Sequence, residues 1–502
     1  MTMLNIKLLI KILAAVGIAS ISGIVAVLKV LSLLNENVGI AKPTQKQLNE
    51  ENLDNSPLFR HVPHLKTKVA WRELGNFPTP LHKGSVKVDK LGTMIFYVKR
   101  EDLSSQLYGG NKVRTLQHQL ATIEARAARN HNGAAASSVI AGGTGGSNQI
   151  LATVVHAKSI SNIPKITPVW MKDLPELDNT LNMLSTLTMN NLNKNQMKTW
   201  KDSGILRTYL GPIFSGSGVV LPPGGNSPAG VIGQIGGALE LAEQIVNGDM
   251  PDPNIVYLPV GSCCTISGLI IGICLSRQLN LKAFCNTQIC GIPIHHAAAF
   301  GHRNMNFLTA KWASIVPLTI RHTIIKTCNE LIQLDSSNIF SKILNDALNL
   351  IDDQNQLRLI TDSKIIGTYG GHSNESIIAS QEYDQTGILI DEKTGKEQEK
   401  IWLCGHFTGK AFAAMRKDFI KRNGKNNLIC LFWQTKSRVQ PRGENDGEWS
   451  DFLKMPLGVQ NWGDSGKSYS HLREGKVNTK DVENGKNGYV HLMTKIERRC
   501  KM

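Results

Sequence analysis

The residue best placed for chemistry in this sequence is a lysine that closes a glycine-rich turn. The stretch Tyr108-Gly109-Gly110-Asn111-Lys112 lies between MIFYVKRED and VRTLQHQLATIEARAARN. Two glycines let the backbone approach a ligand closely. A lysine at this turn projects into the cleft above a sheet, where its amine can form a Schiff base or remain a solvated helix-start cation. A second stretch, Gly142-Gly143-Thr144-Gly145-Gly146-Ser147-Asn148-Gln149, follows SSVIA. Its free backbone N–H groups suit a carboxylate or a phosphate, or Ser147 serves only as the N-cap of the next helix. A third, Pro259-Val260-Gly261-Ser262-Cys263-Cys264-Thr265, joins NIVYLPV to ISGLIIGI. Small side chains leave its amides open, and Ser262 and Thr265 add hydroxyls, which makes a phosphate cradle or a capped turn. It has no G-K-[ST] and no G-x-G-x-x-G, so neither a Walker loop nor a dinucleotide fingerprint is present.

Each of these loops needs a strand before it and a helix after it. From about 70 to 435 the chain alternates in that way, which predicts βαβ units and mainly parallel sheets. In the first helix Leu116, Leu120 and Ile123 recur at spacings of 4 and 3 and give one apolar face. Residues 35–70, rich in Asn, Gln, Glu and Pro, read as a linker. RNHNGAAASS and DEKTGKEQEK read as surface loops, and residues 436–502 read as a polar, Gly-rich C-terminal tail.

Composition narrows the function classes. Among 502 residues 41% are hydrophobic and 19% charged, enough for real cores and too apolar for a disordered chain. The formal net charge is +16, but the basic residues are scattered without a long run, so no nucleic-acid partner is expected. The nine cysteines include no C-x-x-C pair and read as reduced thiols. His295, His296 and His302 lack metal-ligand spacing, and no metal is expected. Residues 12–28, ILAAVGIASISGIVAVL, carry no charge. Residues 1–34 therefore read as a hydrophobic anchor or targeting segment: a membrane helix, with a mitochondrial presequence or a soluble helix as the alternatives.

The order of these pieces resembles the 1-aminocyclopropane-1-carboxylate (ACC) deaminase and D-cysteine desulfhydrase family, a tryptophan-synthase-β-like branch of the pyridoxal phosphate (PLP) enzymes. The matching text is TPLH, VKREDL, YGGNKVR, GGSNQ, LPPGGNSPAGVIGQIGGALELAEQI, PVGSCCTISG, GTYGG and HFTGKAFAAM, over roughly residues 75–435. The resemblance implies an α/β fold of two lobes with PLP between them, a large lobe of residues 71–114 and 236–435 and a small lobe of 115–235. It implies a small amino-acid substrate, and a homodimer is the expected assembly. By the same resemblance Lys112 carries PLP and removes the α-proton. Ser147, Asn148 and Gln149 meet the substrate carboxylate and the cofactor ring. Gly261, Ser262, Cys263, Cys264 and Thr265 hold the phosphate, Tyr369 faces the substrate, and Thr408 partners the pyridine nitrogen.

The sequence departs from the family at two positions. ACC deaminases have Tyr-Glu before the final G-K, where this chain has Phe407-Thr408. A carboxylate there keeps the pyridine nitrogen protonated, and a threonine only hydrogen-bonds it, so the electron sink is shallower. D-cysteine desulfhydration is the expected activity, with ACC deamination, or both activities, as the alternative. Phe407 lacks the hydroxyl that both branches usually carry. With the N-terminal segment and the tail, it keeps open a non-catalytic, membrane-tethered PLP-binding protein.

Overall fold

The computed structural model describes residues 38–129, 138–144, 146–160, 163–164, 166–171, 182–183, 185–186, 189–190, 198–199, 218–294, 299–300, 306–316, 318–367, 369–439 and 441. The expected anchor at 1–34, most of the tail and the three histidines at 295, 296 and 302 lie outside them. Among the described residues no helix is long and apolar enough to cross a membrane.

Within the expected linker, residues 38–70 carry short helices and core residues. Thr44 caps α1 (Gln45–Glu50) by accepting from the Gln47 amide, and α2 (Pro57–His61) starts on a proline. Leu58, Phe59, Val62 and Leu65 are buried in the largest core cluster. Leu58 and Phe59 lie on α2, and Val62 and Leu65 follow in the turn after it, so a polar average composition conceals a local apolar cluster.

The hairpin β1 (Leu81–Lys87) and β2 (Thr93–Arg100) leads to α3 (Lys112–Arg129), which begins on the candidate lysine. Then follow β3 (Ser138–Thr144), α4 (Asn148–Ala157), β4 (Ile166–Met171), β5 (Lys198–Thr199) and β6 (Gly218–Leu221). These four strands form one sheet in the order β5-β4-β3-β6, and every pair in it is parallel. Ser227 accepts from the Gly230 amide and caps α5 (Pro228–Val246). That helix runs unbroken through residues 235 and 236, where the sequence reading placed a lobe boundary.

The second half of the chain continues with β7 (Ile255–Val260), α6 (Cys264–Gln278), β8 (Gln288–Pro293), α7 (Phe307–Ile315), α8 (Ile320–Leu334), α9 (Ile339–Asp352), β9 (Leu357–Leu359), α10 (Ser363–Ile366) and α11 (Asn374–Thr386). It ends in β10 (Ile388–Ile390), β11 (Glu397–Gln398), α12 (Thr408–Lys421) and β12 (Cys430–Gln434). The larger sheet has the order β11-β10-β1-β2-β12-β7-β8-β9. From β2 to β9 it is parallel, and every residue of β7 is buried, as expected of a strand covered on both faces. From β2 to β11 it is antiparallel, so the sheet is mixed rather than mainly parallel throughout. The short β1–β2 connection is the reason, because a parallel neighbour needs a long crossover. DEKTGKEQEK is likewise more than a loop: it turns at Asp391–Gly395 and returns as β11.

Candidate active site

The three glycine-rich loops meet where β2, β3 and β7 end and α3, α4 and α6 begin. Lys112 is half-buried, and its Nζ donates to the Gly224 carbonyl at 2.8 Å. The Ser262 hydroxyl donates to the same carbonyl at 3.1 Å. Gly224 has φ +68°, and a Cβ there would lie 2.5 Å from the Ser262 Cβ, so the Pro222-Pro223-Gly224-Gly225 turn needs glycine at this position. Burial lowers the Lys112 amine below its ordinary value, with the Cys264 thiol opposing the shift. A lysine held this way exposes more neutral amine near pH 7 than a surface lysine does.

The Gly261–Thr265 loop opens α6 earlier than the sequence indicated, at Cys264. Cys263 takes a left-handed conformation, φ +68°, and no side chain caps the helix. The backbone N–H groups of Ser262, Cys263, Cys264 and Thr265 find no acceptor among the described residues. Both thiols turn away from the loop: Cys263 Sγ donates to the Leu318 carbonyl at 3.1 Å, and Cys264 Sγ to the Gly225 carbonyl at 3.5 Å. Burial raises both thiols above their ordinary value, so what these cysteines offer a ligand is their amides. Asn111, next to Lys112, donates from Nδ2 to Thr265 Oγ1 at 2.8 Å. Thr265 therefore accepts from the lysine turn and keeps its own proton for an anion.

On the facing loop Ser147 precedes α4, but its hydroxyl makes no cap bond, which removes the capping reading. Asn148 is half-buried, and its Oδ1 accepts from Lys436 Nζ at 2.7 Å, Asn182 Nδ2 at 2.6 Å and the Tyr108 hydroxyl at 3.1 Å. Gln149 is buried and turned inward: its Nε2 donates to Gln119 Oε1 at 3.2 Å and Thr153 Oγ1 at 3.4 Å. It supports the Gly225 turn rather than joining Ser147 and Asn148 at the surface of the loop.

An aromatic row closes the remaining side. Tyr369 meets His406 edge to face at 4.8 Å, and His406 stacks on Phe407 at 4.1 Å. Phe407 Cε1 would lie 3.4 Å from a Cβ on Gly261, which ties the row to the α6 loop. Thr408 is fully buried. Its Oγ1 accepts from the Cys404 amide at 2.8 Å and donates to the Trp402 carbonyl at 3.0 Å. The hydroxyl is thus engaged in the 402–404 turn, and a pyridine nitrogen would compete with the Trp402 carbonyl for its one proton.

Sequence reasoning missed Tyr108, Asn182, Gly224, His406 and Lys436. Tyr108, Gly224 and His406 stood inside recognised blocks with no role assigned. Lys436 was placed in the tail, yet it is 2% exposed and belongs to the site. Among the described residues no group of His, Cys, Asp or Glu is arranged to hold a metal ion.

This donor set fits PLP: a buried amine for its aldehyde, open helix-start amides and a threonine hydroxyl for its phosphate, and an amide at its ring edge. The family model of pyridoxal-phosphate dependent enzymes matches residues 72–325, half of the chain. Over 213 residues the chain is 30% identical to nocardicin C-9' epimerase of Nocardia uniformis subsp. tsuyamanensis, covering 40% of this chain and 58% of that protein. Over 224 residues it is 29% identical to D-cysteine desulfhydrase of Salmonella paratyphi C (strain RKS4594), covering 42% of this chain and 62% of that protein. The chain thus spans about six tenths of the length of both relatives. A solved structure of an ACC deaminase homologue superposes with TM-score 0.48 at 20% identity, over 76% of this chain and 94% of that one. With its amine, its anion cradle and the family match falling on the same loops, the chain belongs to the pyridoxal-phosphate dependent enzymes, and its resemblance within them is to the ACC deaminase and D-cysteine desulfhydrase branch.

Proposed function

We propose that the protein is a PLP-dependent lyase of small amino acids, with D-cysteine the substrate that best accounts for its residues. The observation that carries this reading is the Lys112 amine, lowered by burial and held beside the open amides of Ser262–Thr265. When bound, PLP supplies an electron sink for the pair released at the substrate α-carbon.

Lys112 would hold the cofactor through its side-chain amine, and the same amine, when free, takes the substrate α-proton as general base. Ser147 and the first amides of α4 hold the substrate carboxylate, and Tyr369 orients a proton donor at the β-carbon. Thiolate leaves the β-carbon with its electron pair. Addition of water completes the conversion of D-cysteine to pyruvate, ammonia and hydrogen sulfide. A leaving group that carries off electrons suits a site in which the Thr408 proton is engaged by Trp402. ACC has no α-hydrogen for Lys112 to remove and needs a deeper sink, so its ring opening is the second reading.

The test is a pair of initial rates on one preparation of the full chain: pyruvate from D-cysteine and 2-oxobutyrate from ACC. Faster release of pyruvate is expected. Faster release of 2-oxobutyrate would reverse the ranking, and turnover of neither would point to a PLP-binding protein without this activity.

A further inference from the structure

Lys436 follows the end of β12 and is pinned by its backbone to the turn that carries Lys112. It forms an isolated antiparallel bridge with Gly110, and the Asn111 amide donates to the Thr435 carbonyl at 3.3 Å. Gly110 has φ +109°, and a Cβ there would lie 2.7 Å from the Thr435 oxygen, so only glycine permits this clamp. The clamp sends the Lys436 side chain under the start of α4. Its Nζ donates to Asn148 Oδ1 at 2.7 Å, Asn182 Oδ1 at 2.8 Å and the Tyr108 hydroxyl at 3.3 Å. It also lies over the Tyr108 and Trp402 rings, at 5.8 and 5.2 Å.

A carboxamide has an accepting oxygen and a donating nitrogen, and its orientation is set by its neighbours. An ammonium group has three donors and no acceptor. With Lys436 at 2.7 Å from Asn148, the Asn148 oxygen must face the lysine, and the Asn182 and Tyr108 donors converge on the same oxygen. The Asn148 NH2 is thereby turned the other way. We infer that Lys436 is a positioning residue: it locks the Asn148 carboxamide so that its NH2 donates to an acidic ring oxygen of the bound cofactor. This rests on the reading of the site as a PLP site. A neutral residue at 436 would leave the Asn148 oxygen held only by the Asn182 amide and the Tyr108 hydroxyl, each of which can also accept, so the carboxamide could turn its oxygen toward that ring oxygen, which repels it.

The experiment titrates full-length protein, stripped of cofactor, with PLP and follows the visible absorbance of the bound form. The variants are Lys436→Met, Lys436→Arg and Asn148→Asp, with thermal melts of each before titration. Lys436→Met should bind PLP about tenfold more weakly, the loss of one hydrogen bond of about 1.4 kcal/mol, with a shifted visible band. Lys436→Arg, also a donor-only cation, should restore most of the affinity and the band. Asn148→Asp keeps an acceptor for Lys436 but removes the NH2, so it should melt like the wild type and bind PLP as weakly as Lys436→Met. Wild-type affinity and an unshifted band in Lys436→Met overturn the inference. If Lys436→Met does not fold, wild-type affinity in Asn148→Asp overturns it instead. A wild-type chain that takes up no PLP, or in which borohydride fixes it to a lysine other than Lys112, removes the site reading itself.

Discussion

Lys99 lies near the end of β2 and Lys112 begins α3, and burial lowers both amines below their ordinary value. Their surroundings differ. Lys99 donates to Glu240 Oε1 at 2.6 Å, Gln244 Oε1 at 2.5 Å and the Thr79 carbonyl at 2.8 Å. Arg114 beside it pairs with Glu101 at 2.7 Å and Glu240 at 2.7 Å. All four charged residues are at most 2% exposed. Desolvation would raise the Glu240 carboxyl, but Arg114 and Lys99 outweigh it and hold the group down at about 2. This quartet of two cations and two anions is internally neutral. Lys112 stands two residues before Arg114 on the same helix, yet the acceptor described for it is a neutral carbonyl. The lesson is electrostatic. Where carboxylates surround a buried amine, their charge opposes the desolvation and the ion pairs lock two helices and a strand together. Where only a peptide oxygen meets it, the amine loses its proton more readily and is available for bond formation.

Removing either partner should expose that contrast. Lys112→Ala should abolish covalent PLP attachment and turnover, measured by borohydride reduction and peptide mapping, because anchor and base are lost together. Attachment surviving on another lysine would place the nucleophile elsewhere. Glu240→Gln should destabilise the fold by about 3–5 kcal/mol in denaturant unfolding, since it leaves Lys99 and Arg114 buried with too little negative charge. Lys112→Met should do the opposite in cofactor-free protein and leave the melting temperature unchanged or raised, because it removes a desolvated amine that meets no carboxylate among the described residues.

Acid provides a third probe, directed at the packed side of the molecule. Burial holds His82 and His118 at about 4 against an ordinary 6.5, with Arg100 adding to the effect at His82. The folded state therefore binds fewer protons than the unfolded chain between those values. Stability is full above about pH 6.5 and is lost as the pH falls toward 4, by about 3 kcal/mol per histidine. Melting temperatures across that range should fall, and His118→Gln should flatten the decline. A partial loss is expected at the anion loop: Thr265→Val should weaken PLP retention by about 1.5–3 kcal/mol in equilibrium titration. Unchanged retention would mean that the loop amides hold the phosphate without the hydroxyl.

The sequence by itself determined what local chain chemistry can encode. A strand, a glycine-rich turn and a helix occur within a few residues of each other at 98–114, 138–149 and 255–265, so the three turns were legible from motif and periodicity, and the roles of Lys112 and Asn148 in them from the family resemblance. Tertiary structure decided what depends on residues far apart in the chain. Residues 45–65 look polar on average, and only docking onto the core shows that Leu58, Phe59, Val62 and Leu65 share one buried cluster. Gln149 sits in a recognised motif, but the approach of Gly225 turns it inward. The Thr408 hydroxyl is engaged by a turn that sequence gives no reason to expect. Lys436 follows the last strand in a stretch without periodicity, and it reaches Asn148 only because β12 lies beside β2 in the sheet and its end pairs with Gly110. Composition and spacing report on neighbours within a turn or two. Contacts between residues 288 positions apart, as for Lys436 and Asn148, exist only after the sheet has been assembled.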